Sequence, residues 1–233
     1  MFDFAASDSE ALPSATVIVL RDGSAGLEVL LLQRNPELRT MGGAWVFPGG
    51  KVDADDPGST PAERARHAAV RELAEEAALS VSHDALEDFS HWLTPVVVKA
   101  RFATWFYVTH VDIETPVTVD GSEIVAHRWI RPFDAIELQD RGELTVPPPT
   151  LVSLLDLSHQ QTARAAMAMA AGRQPPFFFP TIVSGDEEMV FLYPGDVGYE
   201  AADPALEGPR HRTVSRDGRF QYFRDIEWRP REG

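Results

Sequence analysis

Three glutamates crowded into one short run constrain this chain more than any other feature. The segment Arg71-Glu72-Leu73-Ala74-Glu75-Glu76 lies downstream of Phe47-Pro48-Gly49-Gly50. In a helix, Glu72, Glu75 and Glu76 stand at i, i+3 and i+4 and share a face. Like charges so placed weaken an isolated helix. A hard divalent cation removes that cost, because Mg²⁺ and Mn²⁺ prefer carboxylate oxygens. The two glycines carry no Cβ, so their backbone carbonyls can approach the same ion. The competing reading is a solvated acidic face with Arg71 as its local partner. The flanking sequence argues against it. Thr60-Pro61-Ala62-Glu63 reads as a helix start, with Thr60 as N-cap, Pro61 at the first position and Glu63 at the third. Ala65, Ala69, Leu73 and Ala77 form an apolar stripe along the same helix. The acidic cluster therefore belongs to a packed helix of about Pro61 to Ala78.

From Gly50 to Leu79 the chain resembles the Nudix box, G-x5-E-x7-R-E-U-x-E-E-x-G-U with U apolar. Glu63 fits the first glutamate, and Arg71, Glu72, Leu73, Glu75, Glu76 and Leu79 fit the remainder. Two departures stand out. The stretch Asp53-Ala54-Asp55-Asp56-Pro57-Gly58-Ser59 is in excess of the pattern, and its composition reads as a lengthened surface loop. Ala78 stands where the pattern has glycine, which bears on how the helix ends. The resemblance implies metal-dependent hydrolysis of a nucleoside-diphosphate linkage. It implies Glu72, Glu75 and Glu76 as metal ligands, with the Gly50 carbonyl as a further one. It also implies an Arg71–Glu63 ion pair that orients the glutamates. Glu123, in Gly121-Ser122-Glu123-Ile124, is either an acid that reaches the metal or an exposed turn residue. Asp120 is the weaker candidate there.

The stretch 31–50 resembles the segment upstream of the box in coenzyme A diphosphatases. Leu31, Arg34, Leu38, Gly43 and Phe47-Pro48-Gly49-Gly50 keep its spacing, whereas Met41 replaces a histidine. The Phe47-Pro48-Gly49-Gly50-x-x-Asp53 pattern with its long insertion, Trp129-Ile130-Arg131-Pro132 and Pro147-Pro148-Pro149-Thr150-Leu151 look more like the branch of the peroxisomal enzymes and many bacterial relatives. Coenzyme A or an acyl derivative is then the expected substrate. ADP-ribose and dinucleotides such as NADH are the alternatives, and a non-catalytic nucleotide-binding regulator is a reading of a different class. Arg34, Arg39, Lys99 and Arg101 are candidates for phosphate contact. Trp45, with other aromatics, is a candidate for stacking on adenine or for the core.

The formal charge of −15 argues against nonspecific binding to nucleic acid or anionic membranes. An anionic substrate must be recruited through metal and a local basic rim. There is no cysteine, which rules out disulfides and thiolate chemistry and suits a reducing cytoplasm. The segment Met1 to Asp8 is acidic and lacks the form of a signal peptide, and no apolar run is long enough to span a membrane.

Element order predicts an α+β Nudix fold: an α/β/α sandwich around a mixed sheet over residues 1–160, then a β-rich extension over 161–233. Strands are expected at 15–20, 27–33, 45–47, 90–93, 104–109 and 126–130, and further helices at 132–138, 149–157 and 161–172. In the extension, strands are expected at 188–193 and 220–223. The extension is expected to pack on the main domain, where it covers the site or forms a homodimer interface. His211 and Arg212 are read as surface residues or contacts from a lid.

Overall fold

The computed structural model describes residues 10–98, 100–185 and 187–231. The Met1–Asp8 segment lies outside the described residues. Strand β1, Leu12–Gly23, is the spine of the molecule. Its side chains alternate between two cores. Ala15, Val17 and Val19 enter one, Ile18 and Leu20 the other, all fully buried. A strand buried on both faces reads as a continuous apolar run, which is how Ala15 to Leu20 reads.

Around β1 the main sheet is mixed, in the order β3-β2-β1-β6-β5-β8, with β4 on β1 and β7 on β2. Its strands are β2 (Gly26–Arg34), β3 (Trp45–Val46), β4 (Gly49–Lys51), β5 (Glu87–Leu93), β6 (Phe102–His110), β7 (Ile124–Ile130) and β8 (Phe177–Phe178). One edge of β1 has two partners in succession. Ser14 to Thr16 pair with β4, and Leu20 to Gly23 pair with β2. The other edge pairs in parallel with β6 along nine residues.

Helix α1, Pro61–Ala77, covers one face. Ala65, Ala68, Ala69, Leu73 and Ala77 are fully buried against β1, β2 and Tyr107. The small side chains let the helix axis come close to the sheet. Helices α2 (Pro132–Asp140), α3 (Pro148–Ser158) and α4 (Ala163–Ala171) pack on the opposite core. The α/β/α arrangement read from the sequence is thus the observed one.

The chain after residue 160 does two things. Its α4 residues Ala163, Ala166 and Ala170 complete the second core, and β8 extends the main sheet by pairing in parallel with β5. It then forms a separate antiparallel sheet, β12-β11-β10-β9, from Thr181–Ser184, Glu188–Leu192, His211–Arg216 and Arg219–Arg224 as β9 to β12 in chain order. His211 and Arg212 are corrected by this sheet, because both are buried in β11 at 2 % and 6 % exposure. Arg212 makes a two-pronged ion pair with the buried Asp196, at 2.6 and 2.7 Å. No surface or lid placement is left for either residue. Among the described residues no helix is long and apolar enough to cross a membrane.

Candidate active site

The helix start is as expected. Thr60 Oγ1 accepts from the Glu63 backbone N–H at 3.2 Å, and the Glu63 carboxylate returns to the Thr60 N–H at 3.2 Å. At the other end Ala78 adopts the left-handed conformation, φ 54° and ψ 29°, and its N–H bonds to the Ala74 carbonyl. Alanine therefore takes the backbone state that glycine adopts more readily.

Between these caps α1 presents Glu72 and Glu76 to β4. The Gly49 N–H donates to Glu76 Oε2 at 2.8 Å. A Cβ on Gly49 would strike the Ala15 carbonyl and Thr16 of β1, and a Cβ on Gly50 would overlap the Glu72 carboxylate. Gly49 is thus required by a close approach to the sheet backbone, and Gly50 leaves room for the Glu72 carboxylate as it now lies. Glu76 is buried, and burial raises its pKa to about 8. The charges of Glu72 and Glu123 push the same way, against the Gly49 N–H and Arg34. Burial raises Glu72 too, with Arg71 opposing. Glu75 is more open, 3.3 Å from Arg71 Nη1.

A second edge closes this space. Arg34, at a bulge in the β2–β7 pairing, bonds Glu123 at 3.0 Å. Asn35 ties down the turn before β7 by donating its N–H to the Glu123 carbonyl and its amide to the Ser122 carbonyl. The Asp120 carboxylate accepts from the Ser122 hydroxyl and from the N–H groups of Ser122, Glu123 and Ile124. Asp120 therefore builds the turn, and Glu123 is left to face the site.

Among the described residues no three acidic or imidazole groups already converge on one point at metal-holding distance. What the cluster offers is an oxygen-only donor set, raised proton affinity on Glu72 and Glu76, and a Gly50 backbone against which the Glu72 carboxylate lies. Those properties suit a hard divalent cation rather than a soft one.

Residues 11–150 match the NUDIX domain. The chain belongs to the Nudix family of hydrolases. Members of this family generally use divalent metal ions. A Caenorhabditis elegans protein provisionally named nudix hydrolase 7 is 26% identical over 206 residues, covering 73% of this chain and 69% of that one. The Xenopus laevis acyl-coenzyme A diphosphatase NUDT19 is 29% identical over 137 residues, 56% of this chain and 36% of its own length. This chain therefore spans about a third of that frog relative. A solved NUDIX hydrolase from Alicyclobacillus acidocaldarius superposes with a TM-score of 0.63 at 22% identity, over 70% of this chain and 97% of that one. That likeness bears on the fold.

Within the Nudix box one expectation fails. Arg71 does not pair with Glu63. The Glu63 carboxylate is already engaged by the Ser59 and Thr60 N–H groups and the Ser59 hydroxyl. Arg71 instead grips Asp56 through Nε and Nη2, each at 3.1 Å, while Nη1 reaches Glu72 at 2.9 Å. Asp56 sits in the stretch read as a lengthened surface loop, yet its side chain is 5% exposed. Its Asp-Asp context signalled acidity but not which acid turns inward. Of the phosphate candidates, Arg34 lies at the site. Arg39 is exposed in the turn after β2, with no hydrogen bond or ion pair to another described residue. Arg101 donates from Nε to the Thr94 carbonyl at 3.2 Å. Lys99 lies outside the described residues. Trp45 packs on the second core, with the Arg128 guanidinium 5.0 Å from its ring centroid.

Proposed function

We propose that this Nudix hydrolase cleaves the diphosphate of coenzyme A or acyl-coenzyme A, giving 4′-phosphopantetheine, or its acyl form, and 3′,5′-ADP. The observation that carries the chemistry is the facing of Glu72 and Glu76 onto the Gly49–Gly50 backbone. In this reading Glu72, Glu76 and the Gly50 carbonyl hold Mg²⁺ or Mn²⁺, with Glu75 and Glu123 at its border. Such an ion, when bound, neutralises phosphate charge and makes a bound water acidic enough to attack phosphorus. The residues do the rest. The sheet fixes the two glycines, and Arg71 orients Glu72. Arg34, now paired with Glu123, would supply the cation that meets a phosphate oxygen. Water adds across one P–O–P linkage, so one phosphate leaves with each half of the substrate.

The choice of substrate is supported by the segment 31–50 and by the similarity to the frog acyl-coenzyme A diphosphatase. The test is a screen of coenzyme A, acyl-coenzyme A, ADP-ribose and dinucleotides with Mg²⁺ and with Mn²⁺, products read by mass. Preferential release of 3′,5′-ADP from coenzyme A or its acyl form is the expected result. Preference for another substrate would refute the substrate and keep the chemistry. Nucleotide binding without cleavage would refute both.

A further inference from the structure

We infer that Asp56, in the loop that lengthens this Nudix box, is the positioning residue of the glutamate site, acting through Arg71. The inference rests on the functional reading above and adds to it a residue that the box pattern does not contain. The Arg71 guanidinium is the junction. Besides the two bonds to Asp56, Nη2 donates to the Lys51 carbonyl at 2.9 Å and lies 3.4 Å from the exposed Asp53 carboxylate, and Nη1 donates to Glu72 and Glu75. Lys51 follows Gly50 directly. One planar fork therefore ties the inserted loop, the glycine strand and the glutamate helix together.

The loop is itself fastened, so Asp56 is a fixed point rather than a passing contact. The Asp56 carboxylate also accepts the Asp53 N–H at 2.7 Å, and the Asp56 N–H bonds to the Asp53 carbonyl at 3.2 Å. That same Asp53 carbonyl accepts from Arg64 Nη2 at 2.6 Å. Arg64 and Arg71 are two helical turns apart and share a face, so the loop lies along α1. Gly58 permits this: a Cβ there would come 2.7 Å from the Arg64 nitrogen.

Acceptors of different duty thus compete for Arg71, and Asp56 and Glu72 are the two bound most closely among the carboxylates. Asp56 is buried and accepts three N–H bonds, whereas Glu72 must keep oxygen lone pairs free for an ion. With Asp56 in place, Nε and Nη2 are engaged and only Nη1 leans on Glu72. Without it Nε loses its partner and Nη2 is held only by the Lys51 carbonyl and the exposed Asp53, so the fork can turn further onto Glu72 and Glu75 and neutralise them. Groups that orient a metal-binding side chain typically govern affinity or activity by about 10–100-fold.

The test uses the full chain and two matched variants. Asp56→Asn removes one charge from the buried position, and Asp55→Asn removes the same charge from the exposed neighbour. Mn²⁺ affinity is read by electron paramagnetic resonance, alongside Tm and the kcat and KM of the substrate found in the screen. Asp56→Asn is expected to weaken Mn²⁺ binding about tenfold or more. Its kcat should fall at low Mn²⁺ and recover in part at high Mn²⁺, with KM at saturating Mn²⁺ little changed. Asp55→Asn should match the wild type. Mn²⁺ affinity within twofold of wild type in Asp56→Asn would overturn the inference. Equal loss in Asp55→Asn would do so as well, since bulk charge would then suffice. Should Asp56→Asn fail to fold, Arg71→Lys keeps the charge and loses the fork. Normal Mn²⁺ affinity in that variant would be equally fatal. A wild-type chain that binds no Mn²⁺ would instead overturn the functional reading beneath it.

Discussion

Glu76→Gln should make the metal-free protein more stable at alkaline pH while disabling it as an enzyme. The folded chain holds a proton on Glu76 up to a pKa of about 8, whereas the unfolded chain releases it near 4.5. Below pH 4.5 both states are protonated, and the buried carboxyl costs nothing extra. Between 4.5 and 8 only the unfolded state ionises freely, so stability falls as pH rises. Above 8 the loss is complete. The interval corresponds to roughly 5 kcal/mol as an upper bound. Side-chain relaxation and entering water should leave about 2–3 kcal/mol. Glutamine keeps an oxygen for the Gly49 N–H and carries no charge, so the variant escapes the penalty. For a chain of this size that is a rise in Tm of about 5–10 °C at pH 8.5 in EDTA, and little change at pH 5. Saturating Mn²⁺ should invert the order at pH 8.5, because it binds the native carboxylate. Turnover of the variant should drop about a hundredfold or more. Thermal melts of both proteins at the two pH values, with and without Mn²⁺, decide the matter. If the two proteins lose stability in parallel as pH rises, Glu76 does not carry the strained charge.

Other expectations are simpler. Ala78→Gly relieves a left-handed alanine at the end of α1 and should stabilise the fold by about 0.5–1 kcal/mol in urea titration. Thr60→Ala removes the N-cap acceptor and should cost about 1 kcal/mol, with Mn²⁺ affinity unchanged. Asp196→Ala strands the buried Arg212 guanidinium and should destabilise by about 3–5 kcal/mol, seen as a large fall in Tm. A chain ending at residue 160 should aggregate on expression, because the β5 edge that pairs with β8 is left open. A soluble, cooperatively melting product would refute that last expectation.

The parts legible in the sequence were those governed by local period and spacing. The α1 stripe and its caps, the β1–β2 hairpin and the glutamate cluster all declare themselves within a few residues. What stayed hidden depends on partners far apart in the chain. Glu63 carries two local signals, a capping box and a box glutamate, and only the first is realised, because the Ser59 and Thr60 N–H groups are nearer than Arg71. Asp53, Asp55 and Asp56 look alike in sequence, and the turn alone decides which is buried. His211 and Arg212 look like surface residues because their burial needs Asp196 and an aromatic cage. Strand β8 is only two residues long, and its role is defined by β5.

That late pairing has a consequence in time. β5 ends at Leu93, and the residues that cover its outer edge are Phe177 and Phe178. At typical rates of synthesis the intervening chain takes on the order of 10 s to emerge. For that interval the nascent sheet carries a bare strand beside hydrophobic Trp92 and Phe89. The partly made protein is at its most vulnerable before Phe177 and Phe178 exist. Shielding of that edge would matter most while the chain is still being made.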